Sequence, residues 1–122
     1  MTVGKATASK RVLIVEDELM IRMLLEGMLT DLGHSVAAEA GGLDEAISLA
    51  KQAEFDVAVL DVNLNGTPVT PVVEILLQRG VPFIFASGYG QRGLPEAYRT
   101  APVLQKPFQV DALDEAIQAV AG

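Results

Sequence analysis

The chain has no cysteine. That excludes a disulfide framework and thiolate chemistry, and it fits a cytoplasmic location. No apolar run approaches the roughly 20 residues that a bilayer crossing takes, and no signal peptide is visible at the start. Positive charge is scarce: nine Lys and Arg stand against sixteen Asp and Glu, for a formal net charge of −7. Phosphate backbones attract basic surfaces, so nucleic acid is a poor partner for this chain. A protein or a cation is the better match, and no membrane contact is expected. There are no repeats, no linker and only one histidine. What is present is a chain of 122 residues, half hydrophobic and a fifth charged. It is long enough for one folded core and too short for two.

The most informative stretch is Phe55-Asp56-Val57-Ala58-Val59-Leu60-Asp61-Val62-Asn63-Leu64-Asn65-Gly66. Residues 57–60 are uncharged and partly β-branched, as in a strand buried on both faces. Asn65-Gly66 is turn chemistry, since glycine takes positive φ at no steric cost. Asp61 therefore stands where a buried parallel strand emerges at its carboxyl end, the place where open α/β sheets hold their ligands.

The remaining chain supplies the other layers. Residues 1–10 mix small and polar types without a period and read as a loose tail, leaving 11–122 as the folded domain. Residues 12–15 form a first strand. Ile21, Leu24, Leu25, Met28, Leu29 and Leu32 then recur at helical spacing until Gly33. Residues 36–38 are a weak second strand, followed by a helix with Leu43, Ala46, Ile47 and Ala50 on one face. After the third strand, Thr70 is placed to cap a helix with Pro71 at its first position, and Gly80 ends it. Residues 81–86 and 102–105 are the fourth and fifth strands. The segment between them is too rich in glycine for a long helix, so only a turn or two is expected over residues 95–99. A last helix opens at Asp111 and buries Leu113, Ile117 and Val120. Five strands alternating with helices imply an α/β three-layer sandwich, a parallel sheet covered on both faces. Right-handed crossovers favour the flavodoxin-like order 2-1-3-4-5.

In that order the polar residues at the strand ends converge: Glu16 and Asp17, Asp61, Ser87 and Lys106. Crowded carboxylates repel; two unit charges ~4 Å apart cost about 4 kcal/mol at an effective dielectric near 20. A hard divalent cation with oxygen ligands relieves this, and Mg²⁺, which accepts few carboxylates and keeps its waters, is the expected cofactor. Such a set is equipped for phosphoryl transfer onto a carboxylate, with Asp61 as nucleophile and charge neutralised by the metal and Lys106. Each piece also has an ordinary reading. Glu16-Asp17-Glu18 could cap the first helix, Asp61 could open an Asx-turn, and Ser87 could be a turn residue. Their shared position at one sheet edge is what favours chemistry. His34, at a helix–strand turn away from that edge, reads as structural.

With Val-Glu-Asp-Glu at 15–18, Leu-Asp-Val-Asn-Leu at 60–64 and Lys-Pro-Phe at 106–108, the chain resembles the receiver domain of two-component response regulators from Arg11 to Val120. The resemblance implies that Asp61 accepts phosphate from a histidine kinase or histidine phosphotransferase. It implies that Asp17 and Asp61 bind Mg²⁺ directly, Glu16 through water, and Asn63 through its backbone carbonyl. Ser87 would be the switch hydroxyl, Lys106 would contact the phosphoryl group, and the Lys106–Pro107 peptide would be cis. Phe85-Ala86-Ser87-Gly88-Tyr89-Gly90 resembles a subgroup marked by Phe-Ala-Thr-Gly, a hydrophobic residue, then Tyr, whose members are often single-domain regulators. Here Ser87 replaces the Thr and Gly90 the final Tyr. The switch aromatic of the family, three residues before the lysine, is here Val103. That substitution leaves Tyr89 in the glycine-rich segment as a second candidate relay residue.

These residues imply a stand-alone switch rather than an enzyme with external substrates, because its only catalysis would be transfer to and hydrolysis from its own Asp61. Nothing follows the last helix and Gly122 reads as a natural end, so the signal is expected to leave by protein contact. By resemblance the contact face is formed by the fourth helix, fifth strand and fifth helix. Alternatives are a phosphate sink or phosphorelay shuttle, a receiver fragment of a hybrid kinase, a flavin- or nucleotide-binding module, and an adaptor that never uses phosphate. The acidic loop after the first strand repels a nucleotide phosphate. An adaptor would have no use for Asp61 together with Lys106.

Overall fold

The computed structural model describes residues 9–88, 90–98 and 101–121. Its strands are β1 (Arg11–Val15), β2 (Ser35–Ala40), β3 (Val57–Asp61), β4 (Phe83–Ser87) and β5 (Val103–Gln105). They form one parallel sheet in the spatial order β2-β1-β3-β4-β5, as the element pattern predicted. Helices α1 (Leu19–Asp31), α2 (Leu43–Gln52), α3 (Thr70–Arg79) and α4 (Val110–Ala121) cover its faces.

Alternation along the central strands divides the core. Val12, Ile14, Val57, Val59, Ile84 and Ala86 face one side, where Leu25 and Leu29 of α1 meet Leu113 and Ile117 of α4. Leu13, Val15, Ala58, Leu60 and Phe85 face the other, against Ala46 and Ala50 of α2 and Val72, Val73 and Leu76 of α3. Each fully buried Leu, Ile or Phe contributes roughly 1.5–3 kcal/mol of transfer free energy, which fixes the strand register.

That register sets the site. Val15 lies opposite Leu60, so Glu16 and Asp61, the next residues of their strands, emerge side by side. Asp61 pairs with Ala86, and Ser87 with Gln105. The Lys106 amide donates to the Ser87 carbonyl at 2.8 Å. The chain runs outward from β1 to β2 and then back past β1 to β3, so the sheet reverses its winding between β1 and β3, where a crevice opens at the strand ends.

Several details differ from expectation. Asn63–Leu64 and Thr67–Pro68 form a two-residue antiparallel ladder after β3. Asn65 (φ 51°) and Gly66 (φ 87°) turn it, the left-handed pair that a tight hairpin requires. Thr70 is the first residue of α3 rather than its cap; Val69 holds the cap position with no side-chain bond, its carbonyl accepting from the Val72 and Val73 amides. Leu24, expected on the buried stripe of α1, is half exposed, unlike buried Leu25 and Leu29. Between β4 and β5 the described residues hold only two 3₁₀ turns, Gly90–Gly93 and Glu96–Tyr98. Among the described residues the expected output face therefore has no α-helix before β5 and consists of 3₁₀ turns, β5 and α4. Ser9 and Lys10, assigned by sequence to the tail, are tied to the α1–β2 turn. The Ser9 hydroxyl donates to the Gly33 carbonyl at 2.8 Å, and the Lys10 amide donates to Nδ1 of buried His34 at 3.0 Å. His34 is thus structural. Tyr89 lies outside the described residues.

Candidate functional site: an acidic crevice at the strand ends

Glu16, Asp17 and Asp61 bring carboxylate oxygens within 4.8 Å of one another. Glu16 is almost fully buried, at 1% exposure, although it follows the strand as the first residue of a loop. Its Oε2 accepts from the Glu18 amide at 3.1 Å, and its Oε1 receives the Lys106 ammonium at 2.9 Å. Lys106 Nζ also lies 3.4 Å from Asp61 Oδ2. Asp61 Oδ1 accepts from the Asn63 amide at 3.4 Å, the Asx-turn contact that its position allowed. The Asn65 amide donates to Asp17 Oδ2 at 3.2 Å, binding the loop after β3 to the loop after β1. The helix-capping role for the acidic run is not what forms: Glu18 is the α1 N-cap and makes no side-chain cap bond.

Burial and mutual repulsion disturb the titration of this group. Burial pushes Glu16 up to about 7, against the Lys106 and Glu18 hydrogen bonds that favour its charged form. Asp61 is also raised, chiefly by burial, which outweighs the attraction of Lys106. For Asp17 burial acts upward, but hydrogen bonds with Asp61, Glu16 and the Asn65 amide outweigh it, and its pKa falls. Burial alone would lower Lys106; the Glu16 hydrogen bond and the Asp61 charge raise it instead. Three carboxylates facing one ammonium leave negative charge uncompensated. Hard oxygen donors in this arrangement fit a small divalent cation such as Mg²⁺.

Asp61, Val62, Asn63, Ser87, Gly88 and Gly93 line a cleft of about 220 Å³ over the Asp61 carboxylate. The sequence-assigned residues Glu16, Asp17, Asp61, Asn63, Ser87 and Lys106 thus meet at one edge. Val103 does not; it lies partly buried in the core, opposite Phe85. The Lys106–Pro107 peptide is cis. Residues 12–118 match the response regulator receiver domain family. The chain belongs to this family.

Relatives of this receiver domain agree over most of its length. The transcriptional regulatory protein PdtaR of Mycobacterium tuberculosis is 36% identical over 121 residues, covering 96% of this chain and 59% of PdtaR. The receiver thus spans well under two thirds of that relative. The chemotaxis protein CheY of Thermotoga maritima is 32% identical over 118 residues, with 91% and 97% of the two chains covered. The solution structure of SdrG from Sphingomonas melonis Fr1 superposes with a TM-score of 0.82 at 38% identity, covering 93% of this chain and 97% of SdrG.

A second feature borders the crevice and was not singled out from sequence. Glu18, Ile21 and Leu24 of the α1 region face Lys106, Pro107 and Phe108 across a groove of about 310 Å³. Leu19, Met20, Met23 and Leu24 extend it as an exposed apolar surface, Met20 being 82% exposed. One signal was available: the first two turns of α1 are apolar on both faces, which a helix with only one buried face does not need. No helix among the described residues is long and apolar enough to cross a membrane.

Proposed function

We propose that this receiver domain acts as a stand-alone response regulator, taking a phosphoryl group onto Asp61 from a phosphohistidine on a histidine kinase or phosphotransferase. The observation that carries the proposal is the position of Asp61: the last residue of a central strand, facing a cleft, within reach of Lys106 and of two further carboxylates. An Asp61 oxygen attacks phosphorus in line with the P–N bond of the donor. That bond breaks, its electron pair returns to the imidazole nitrogen, and an acyl phosphate forms. Glu16, Asp17, Asp61 and the Asn63 carbonyl would hold Mg²⁺, which supplies positive charge for the transferring oxygens. Lys106 reaches the same oxygens as a point charge, and Ser87, which lines the same cleft, offers a hydroxyl donor. The apolar surface from Leu19 to Leu24, continuous with Phe108, is suited to hold the donor protein while its histidine reaches Asp61. The phosphoryl state is then read by a protein partner at the face of β5 and α4.

Incubation with Mg²⁺ and acetyl phosphate followed by intact mass measurement tests this reading. The expected result is an Mg²⁺-dependent, acid-stable and base-labile adduct that disappears in Asp61→Asn. No adduct, or an adduct surviving that substitution, would overturn it. Capture of a partner that depends on a phosphoryl mimic then separates a switch from a phosphate sink.

A further inference from the structure

All the sulfur in this chain is thioether, since it has four methionines and no cysteine. Met28 of α1 is partly buried and packs against the core cluster that holds Leu25 and Leu29. Met20 and Met23 are the opposite case, 82% and 60% exposed. They stand three residues apart in one helix, so their side chains are neighbours on its surface, and Leu24 adjoins them four residues after Met20. Leu24 in turn lines the groove shared with Lys106, Pro107 and Phe108, so the two thioethers lie on the apolar surface that leads to the crevice. Met1 lies outside the described residues.

The fold draws little from Met20 and Met23, because an exposed side chain withdraws little area from water. Such a surface gains its stabilisation when another protein covers it. The soft, unbranched thioether suits that use, since it adapts to irregular partners. It carries a second property that leucine lacks. With no thiol in the chain, the thioethers are the groups left for a peroxide to oxidise, and Met20 and Met23 stand open to it.

Resting on the docking role given to this surface above, we propose that Met20 and Met23 form a peroxide-sensitive modification site, whose oxidation to methionine sulfoxide closes the domain to phosphohistidine proteins while Asp61 stays reactive. A sulfur lone pair attacks one oxygen of hydrogen peroxide. The O–O bond breaks, its electron pair leaves on the second oxygen as hydroxide, and the proton on the transferred oxygen passes to that hydroxide, which departs as water. The sulfur is oxidised and the peroxide reduced by one electron pair. The product is polar and accepts hydrogen bonds from water, which a docking apolar surface would have to strip away. Asp61, Lys106 and the acidic pair undergo no change of bonding, so a small phosphoryl donor that needs no docking surface still reacts. Methionine sulfoxide reductases, one for each epimer at sulfur, reverse the change.

The test treats the whole chain with hydrogen peroxide, quenches with catalase and maps the sulfoxides by peptide mass. Phosphoryl transfer is then measured from a panel of autophosphorylated histidine kinases and from acetyl phosphate, each protein against its own untreated rate. Met20 and Met23 are expected to oxidise ahead of Met28 with the thermal midpoint held. Transfer from the kinases should fall by about tenfold, the acetyl phosphate rate should hold, and the paired reductases should restore the kinase rate. In Met20→Leu combined with Met23→Leu, peroxide should make no difference to either rate. Kinase transfer that survives full conversion of both thioethers overturns the proposal. So does an equal loss in the double leucine variant, earlier oxidation of Met28, or a parallel fall with acetyl phosphate. Untreated protein that is labelled by acetyl phosphate but by none of the kinases overturns the docking role and this proposal with it. Untreated protein that acetyl phosphate does not label at Asp61 overturns the acceptor reading itself.

Discussion

Lys106 Nζ is closer to Glu16 Oε1, at 2.9 Å, than to Asp61 Oδ2, at 3.4 Å. The ammonium is therefore held at rest mainly by a buried glutamate. Its approach to Asp61 is the longer contact, so a new anion on Asp61 competes with Glu16 for it.

This geometry gives stability an unusual pH dependence. Glu16 has a folded pKa of about 7, above its ordinary value, so the folded chain binds the proton more tightly than the unfolded chain does. Its contribution to stability is present at low pH and is lost as pH rises toward 7, on the order of 1–3 kcal/mol across that window. Thermal melts of metal-free protein should show the midpoint falling between about pH 5 and 7. Glu16→Gln should flatten that fall. Mg²⁺ at pH 7 or above should raise the midpoint in the parent chain, because a cation stabilises the ionised carboxylates. An unchanged slope in Glu16→Gln would show that another group titrates there.

The exposed face of α1 should govern protein donors and not small ones. Met20→Glu combined with Met23→Glu alters residues that are 82% and 60% exposed, so stability should change by less than about 0.5 kcal/mol. Transfer from a panel of purified, autophosphorylated histidine kinases should slow by about tenfold or more, equivalent to roughly 1.4 kcal/mol. Phosphorylation by acetyl phosphate should be unaltered. Equal slowing with both donors would place the defect in the crevice rather than in docking.

Gly27, in the middle of α1, costs helix stability without visible need. A Cβ built there meets nothing within 4 Å. Gly27→Ala should stabilise the fold by roughly 0.5–1 kcal/mol, through reduced unfolded-state freedom and better helix propensity. Urea midpoints at constant m-value would measure it, and a loss of stability would mean that the α1 backbone is not ordinary helix at that position.

The frame of the molecule was legible because its signals are local and redundant. Val12–Val15 and Val57–Leu60 are apolar runs of strand length, and glycines stop α1 and α3 where the periodicity ends. Once the strand order followed, Glu16, Asp17, Asp61, Ser87 and Lys106 could be placed at one edge. Features made by a few residues or by distant ones were not legible. The Asn63–Leu64 and Thr67–Pro68 ladder is too short to show a period. Val69 caps α3 by its backbone, which any residue can do. The groove between Ile21 and Phe108 joins segments far apart in the chain. Tyr98 packs on Phe85 from a 3₁₀ turn whose sequence announces only the absence of a helix.

The hydrogen bond from the Asn65 amide to Asp17 has a consequence for what counts as part of this site. Asn65 and Gly66 offer no chemistry to phosphate or metal, yet their left-handed backbone presents the amide that orients one of the three carboxylates. A β-branched residue at position 65 or 66 would resist that handedness and turn the amide away. Such a change would register as a modest loop destabilisation in a stability screen, of about 1–3 kcal/mol, and as an active-site lesion in an assay of cation affinity. The reach of the crevice is thus set by the chirality of a turn as much as by its acids.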